Sequence, residues 1–365
     1  MDVNTLMNRG LLDIKPYVCG KPKEEVAEKY MVKEPIKMNS NENPIGVSPV
    51  ALSYASEILP QANIYPEGSN KKLREEIARL FTLSPDNVIV GSGADEIIYY
   101  SAMSFTNDND EVIIPRITFP IYEIAFKMMR AKIVTSRMDG YIIDLDDIVN
   151  QITEKTKIIA LCNPNNPTGH ALNKKKISWF VKKVPDNIII IMDEAYMEFA
   201  DREVFPDTIA MYKDGYKNIF IIKTLSKAFG LAGFRVGYGI GHADFIRLMN
   251  RIKLPFNISL VSQHAAIGAL MDNEFLNKTI ENTKEGRKMI YNAMDTLGLS
   301  YVPSSTNFIL IDTGQDGDFI AEELMKRGVI VRSGKNYGMN TSIRVTIGTR
   351  EQNSEFIKAL GNIMK

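Results

Sequence analysis

The sequence predicts an α/β fold: a large domain with a mainly parallel sheet flanked by helices, then a smaller α/β domain. Three observations predict it. From residue 70 to 250, short apolar runs alternate with longer segments of helical period, the order that builds a parallel sheet. Two of the runs, IIIIMD (188–193) and IFIIKT (219–224), are apolar without alternation, as strands covered on both faces are. After about residue 250 the texture changes to long helical segments and a second, shorter α/β pattern.

The elements follow in order. NKKLREEIARLF (70–81) places Leu73, Ile77, Leu80 and Phe81 on one helical face. VIV (88–90) is a strand ended by Gly91-Ser92-Gly93, and ADEIIYYSAMSF (94–105) resumes as a helix. EVIIP (111–115) is a strand, and residues 119–130 a helix with Pro120 in its first turn. KIIALC (157–162) is a strand, and 174–184 a helix burying Ile177, Phe180, Val181 and Val184. RVGYGI (235–240) is a further strand. Helical segments over 258–297 then lead to strands at 307–311, 329–331 and 343–347, a helix at 318–327 and a last helix from 351. The division is an arm, residues 1–45, expected to pack with the small domain; a large domain, 46–255; and a small domain, 256–365.

Composition narrows the class of function. Lys plus Arg is 44 and Asp plus Glu is 44 in 365 residues, so net charge is zero. A neutral chain carries no global attraction for nucleic acid or an anionic membrane. Cys19 and Cys162 stand far apart, and the three histidines form no ligand cluster. Reduced thiols, no zinc site and a cytoplasmic location are the expectation. The N-terminus lacks a secretory h-region, and no apolar run approaches the ~20 residues of a membrane span.

Ligands of open α/β sheets sit beyond the carboxyl ends of the strands, so the residues after each apolar run matter. Gly91-Ser92-Gly93 precedes a helix whose first amides, at Gly93, Ala94 and Asp95, can seat a phosphate. NPNNPTG (163–169) follows one strand; Asp193 ends another, with Tyr196 three residues on. Lys227 follows a third, within TLSKAFGLAGFRVGY (224–238), with Ser226 before it and Arg235 after. Each alone reads as a turn or a solvated side chain. Together they are what pyridoxal phosphate needs: a lysine for its aldehyde, a carboxylate for its ring nitrogen, donors for its phenolate oxygen, and amides, a hydroxyl and an arginine for its phosphate.

NPNNPTG, DEAY (193–196) and TLSKAFGLAGFRVG resemble the fold-type I pyridoxal-phosphate aminotransferases. By matching positions, the resemblance implies that Lys227 is the Schiff-base lysine and Asp193 the partner of the pyridine nitrogen. Asn166 and Tyr196 would meet the phenolate oxygen. Ser226, Arg235 and the Ala94 and Asp95 amides would hold the phosphate, and Phe119 would stack on the ring. Arg344, in IRVTIGTREQ (343–352), resembles the arginine that takes the substrate's anionic end. KPYVCGKP (15–22), NSNENPIG (39–46), YPEG (65–68), GSGADE (91–96) and VIVRSG (329–334) are similar to the subgroup that acts on histidinol phosphate. The chain departs from that pattern at Ile45, Ile117, Phe119 and Gly230, none of which is a catalytic group. The subgroup implies transamination with 2-oxoglutarate, with Tyr17 and Arg332 as further substrate contacts. It also implies a homodimer in which Tyr65 and the NSNENPIG stretch cross to the neighbouring active site. An aromatic or broad-specificity aminotransferase, or a threonine-phosphate decarboxylase, would share the same cofactor residues.

Overall fold

The computed structural model describes residues 1 and 6–365; residues 2–5 of the expected arm lie outside the described residues. Seven strands form the central sheet: β1 (Val88–Gly91), β2 (Glu111–Pro115), β3 (Lys132–Ser136), β4 (Thr156–Cys162), β5 (Ile189–Asp193), β6 (Ile219–Thr224) and β7 (Gly237–Ile240). Their spatial order is β1-β7-β6-β5-β4-β2-β3. β7 runs antiparallel to both neighbours, and the remaining pairs are parallel. Side chains alternate between two cores. Ile190, Met192, Ile219 and Ile221 enter one, while Ile191, Phe220 and Ile222 enter the other. Because both faces are covered, the strands show no polar alternation. Each such side chain contributes about 1.5–3 kcal/mol on burial.

The helix expected at 70–81 spans Lys71–Phe81 and buries Leu73, Ile77 and Ala78. Leu80 is 42% exposed, against expectation. It lies in the last turn, at the edge of the buried stripe, where Thr82 ends the helix in a left-handed conformation (φ 52). The helix Ile121–Met128 takes Pro120 as its N-cap rather than inside its first turn.

A four-stranded antiparallel sheet forms the small unit: β8 (Ser300–Tyr301), β9 (Phe308–Asp312), β10 (Arg332–Ser333) and β11 (Ser342–Thr346), ordered β8-β9-β11-β10. The strand expected at 329–331 is divided. Val329–Ile330 pairs in parallel with Ile36–Lys37 of the arm, while Arg332–Ser333 joins the small sheet. The arm also holds a helix, Lys23–Tyr30, which the sequence reading did not identify.

The helix Leu260–Met271 packs on the helix Pro49–Ile58 so closely that a Cβ on Gly268 would stand 2.9 Å from the Ala51 backbone. Its Ala265, Ala266 and Ala269 lie in the core of the large sheet, not with the small unit expected to start at 256. The packing changes along the next helix, Asn273–Leu297, whose Ile290 and Met294 enter the core of the small sheet.

Candidate active site

The carboxyl ends of β4, β5 and β6, the N-terminus of the helix Ala94–Phe105, the arm and the small sheet enclose one cavity of about 370 Å³. Tyr17, Ala94, Asp95, Phe119, Asn166, Asp193, Tyr196, Ser226, Lys227, Arg235, Arg332 and Arg344 all line it. Of the residues singled out from the sequence, Gly93 and Tyr65 do not. Gly93 caps the helix beneath Arg235 with φ +82. Tyr65 is 79% exposed and stacks on Phe256, with ring centroids 4.6 Å apart.

Asp193 points to the face of the sheet that carries Ile191 and is 3% exposed. Its Oδ2 accepts a hydrogen bond from the Tyr122 hydroxyl at 2.9 Å, and its Oδ1 one from the Ala195 amide at 3.0 Å. No cation pairs with it among the described residues. Burial therefore pushes its carboxyl up to about 6, partly opposed by these two donors. An acceptor held dry and without a counter-ion is suited to a protonated ring nitrogen. Tyr122, fully buried, was not found from the sequence; it is one aromatic among many on an apolar helix face.

Lys227 donates to the Ser40 carbonyl at 3.2 Å and lies 5.9 Å from the Tyr196 ring centre. Desolvation by the pocket walls, with the Arg344 guanidinium second, lowers its ammonium to about 8. A lysine so poised exchanges its proton near neutral pH.

The candidate phosphate seat is assembled from separate elements. Arg235 donates to Ser226 Oγ at 3.4 Å, and its guanidinium lies 3.7 Å from Asp95. Glycine is required at two positions here. A Cβ on Gly93 would strike the Arg235 guanidinium, and one on Gly237 would strike the Ala94 amide. The cradle therefore exists only because those side chains are missing, which leaves the helix amides open to an anion.

NPNNPTG divides its asparagines. Asn163 exchanges hydrogen bonds with the Leu172 backbone, and Asn165 is held by Thr118, the Ile117 carbonyl and Thr168. Asn166 is left to face the cavity, where its Oδ1 accepts from Arg344 at 2.6 Å. The Tyr196 hydroxyl accepts from Asn41 Nδ2 at 3.0 Å. Asn39, Ser40 and Asn41 line the cavity of their own chain, so this part of NSNENPIG completes its own site, against the expectation that the stretch crosses to a partner.

The cavity thus offers a buried carboxylate without a counter-ion, a low-pKa lysine, donors between them and an open anion cradle. That donor set fits pyridoxal phosphate group by group. Among the described residues no His, Cys, Asp and Glu cluster could hold a metal ion, and no helix is long and apolar enough to cross a membrane.

The chain is similar to known proteins in sequence and in fold. A family model described as aminotransferase class I and II matches residues 33–360. The chain is 40% identical to histidinol-phosphate aminotransferase of Moorella thermoacetica, over 97% of this chain and 92% of that one. It is 39% identical to histidinol-phosphate aminotransferase 2 of Carboxydothermus hydrogenoformans, over 99% of each. In fold it is similar to the Sinorhizobium meliloti histidinol-phosphate aminotransferase in complex with pyridoxal 5′-phosphate, with TM-score 0.89, 24% identity and coverage of 98% and 97%. A Thermus thermophilus aspartate aminotransferase also shares the fold, with TM-score 0.84, 21% identity and 98% coverage of both chains. The chain belongs to the class I and II aminotransferase family, and its near-full-length relatives place it among the histidinol-phosphate aminotransferases of that family.

Proposed function

We propose that the chain transfers the amino group of L-histidinol phosphate to 2-oxoglutarate, giving imidazole acetol phosphate and glutamate in histidine biosynthesis. The relatives' names support the substrate, and one observation in this chain carries it. Arg332 and Arg344 are direct cross-strand partners on β10 and β11, with 6% and 4% exposure, and both line the cavity. Like charges set opposite each other on one sheet face repel, and neither is paired with a carboxylate among the described residues. Each also keeps a buried Nε without a partner. Two converging guanidiniums with unused donors suit a phosphate, whose three terminal oxygens engage both.

The residues divide the work. Ser226, Arg235 and the Ala94 and Asp95 amides would hold the cofactor phosphate, Phe119 would cover one ring face, and Asn166 and Tyr196 would meet the phenolate oxygen. Bound there, pyridoxal phosphate supplies an electron sink for the carbon that loses its proton. Asp193 holds a proton at the ring nitrogen. Lys227 Nζ takes the proton from the substrate's α-carbon, with Arg344 fixing the anionic end so that this carbon stands within its reach. The free thiols of Cys19 and Cys162 support a reducing, cytoplasmic setting.

Arg332 separates the substrates. Arg332→Ala should weaken histidinol-phosphate turnover by about 1–3 kcal/mol more than phenylalanine turnover, read as kcat/KM for each donor with 2-oxoglutarate as acceptor. Equal losses, or a preferential loss with phenylalanine, would replace this reading with an aromatic aminotransferase.

We also infer a homodimer. Ile64, Tyr65, Leu254 and Phe256 are exposed apolar side chains, and Tyr65 stacks on Phe256 at the surface. Such a patch suits a second copy, which would bring Tyr65 toward the neighbouring cofactor phosphate. Sedimentation of the active enzyme should give a dimer, and a fully active monomer at assay concentration would contradict it.

A further inference from the structure

A second cavity, of about 600 Å³, opens on the other face of the large sheet from Asp193. Its floor is charged and buried. Lys223 on β6 stands directly across from Tyr238 on β7, and both point to the face that carries Ile219 and Ile221. The Lys223 ammonium, 3% exposed, lies 3.2 Å from Glu194 Oε2 and also donates to Met197 Sδ. Thr208 donates to Glu194 as well. Glu198 takes its own backbone amide but reaches the same ammonium only at 3.7 Å, too long for a hydrogen bond, although its side chain is just 11% exposed. Burial raises its carboxyl. Two carboxylates thus share one buried cation, and Arg202 adds a weaker pull on Glu198 from the surface. Arg202, Asp207 and Lys213 line the cavity as well, but all three are solvent-exposed and screened by water.

A second, independent feature is the hydroxyl of Tyr238. The residue is 3% exposed, lines the cavity, and its hydroxyl has no hydrogen-bond partner among the described residues. An under-neutralised carboxylate and an unpaired phenol face one space whose walls include Phe81, Phe229, Leu270 and Leu276. Its volume lies within the ~300–1,000 Å³ of small-molecule pockets.

We propose that this cavity is a second small-molecule site, taking a planar nitrogen cation with an apolar body: an amidinium, guanidinium or imidazolium. A planar cation presents a fork of N–H donors that matches Glu198 and supplies the missing positive charge. A further N–H reaches the Tyr238 oxygen, and the apolar body rests on the aromatic and leucine walls.

Benzamidine is the probe, because its charge is delocalised and its neutral isostere benzamide has almost the same shape. Holoenzyme is titrated with each by calorimetry, while the absorption spectrum of the bound cofactor reports whether the active site is touched. Benzamidine should bind one equivalent with Kd of about 1 mM or below and leave the spectrum unchanged; benzamide should bind about tenfold or more weakly. Glu198→Gln, which keeps the shape and removes the charge, should cost about tenfold or more. Leu276→Trp, which fills the cavity and leaves the ion cluster intact, should abolish binding, and it decides the matter if Glu198→Gln fails to fold. Absence of saturable binding overturns the proposal. So does equal binding of benzamide, a change in the cofactor spectrum on binding, or binding that survives Leu276→Trp.

Discussion

Lys227→Ala should lower the rate of transamination by about 10⁴-fold or more and end covalent retention of the cofactor. The reason lies in the isolation of this amine. Among the described residues its one hydrogen bond is to the Ser40 carbonyl, and no other lysine but Lys37 lines the cavity. Lys37 is committed to Glu42 at 2.7 Å, so it is not free to replace the lost base. The lowered pKa, about 8, arises from desolvation and from Arg344; an exogenous amine in water would not share it. Borohydride reduction followed by peptide mass spectrometry should find the cofactor on the peptide that holds Lys227 in the parent enzyme, and on none in the variant. Turnover within about tenfold of the parent would mean that another group moves the proton.

What the sequence made legible has a physical common cause. Strands covered on both faces leave long apolar runs, so a charge that ends one of them stands out, as Asp193 does; Lys227 is legible because the TLSK turn directly follows another such run. The edge strand Lys132–Ser136 was not, because its outer half is solvent-exposed and its pattern is mixed. Three asparagines within NPNNPTG look equivalent in sequence. Only the folded loop decides that Asn163 and Asn165 hold the turn while Asn166 faces the cavity. The opposition of Arg332 and Arg344 depends on the register of a two-residue strand, too short to show any period. Asn41 reaches Tyr196 across 155 residues of chain, and no local pattern encodes such a contact. Leu80 had the right spacing and still faces outward, since the last turn of its helix runs past the core.

Asp193→Asn should cost about 10³-fold in rate, or about 4 kcal/mol of transition-state stabilisation. The substitution keeps size and planarity, and Asn Oδ1 can still accept from Tyr122. What it removes is the charge that, on the proposed assignment, holds a proton at the ring nitrogen, and without that proton the ring is a poor electron sink. Tyr122→Phe supplies the comparison. It deletes one donor to Oδ2 and leaves the charge, so its loss should stay within about 1–3 kcal/mol, the range for an unmade hydrogen bond to a charged group. Steady-state kcat/KM at saturating cofactor gives both numbers on one scale. The order matters more than either value: if the charge acts at the ring nitrogen, Asp193→Asn must be the more damaging by about fivefold or more. Equal losses would mean that Asp193 serves mainly to anchor Tyr122 and the Ala195 amide, and that the ring nitrogen draws its proton from elsewhere.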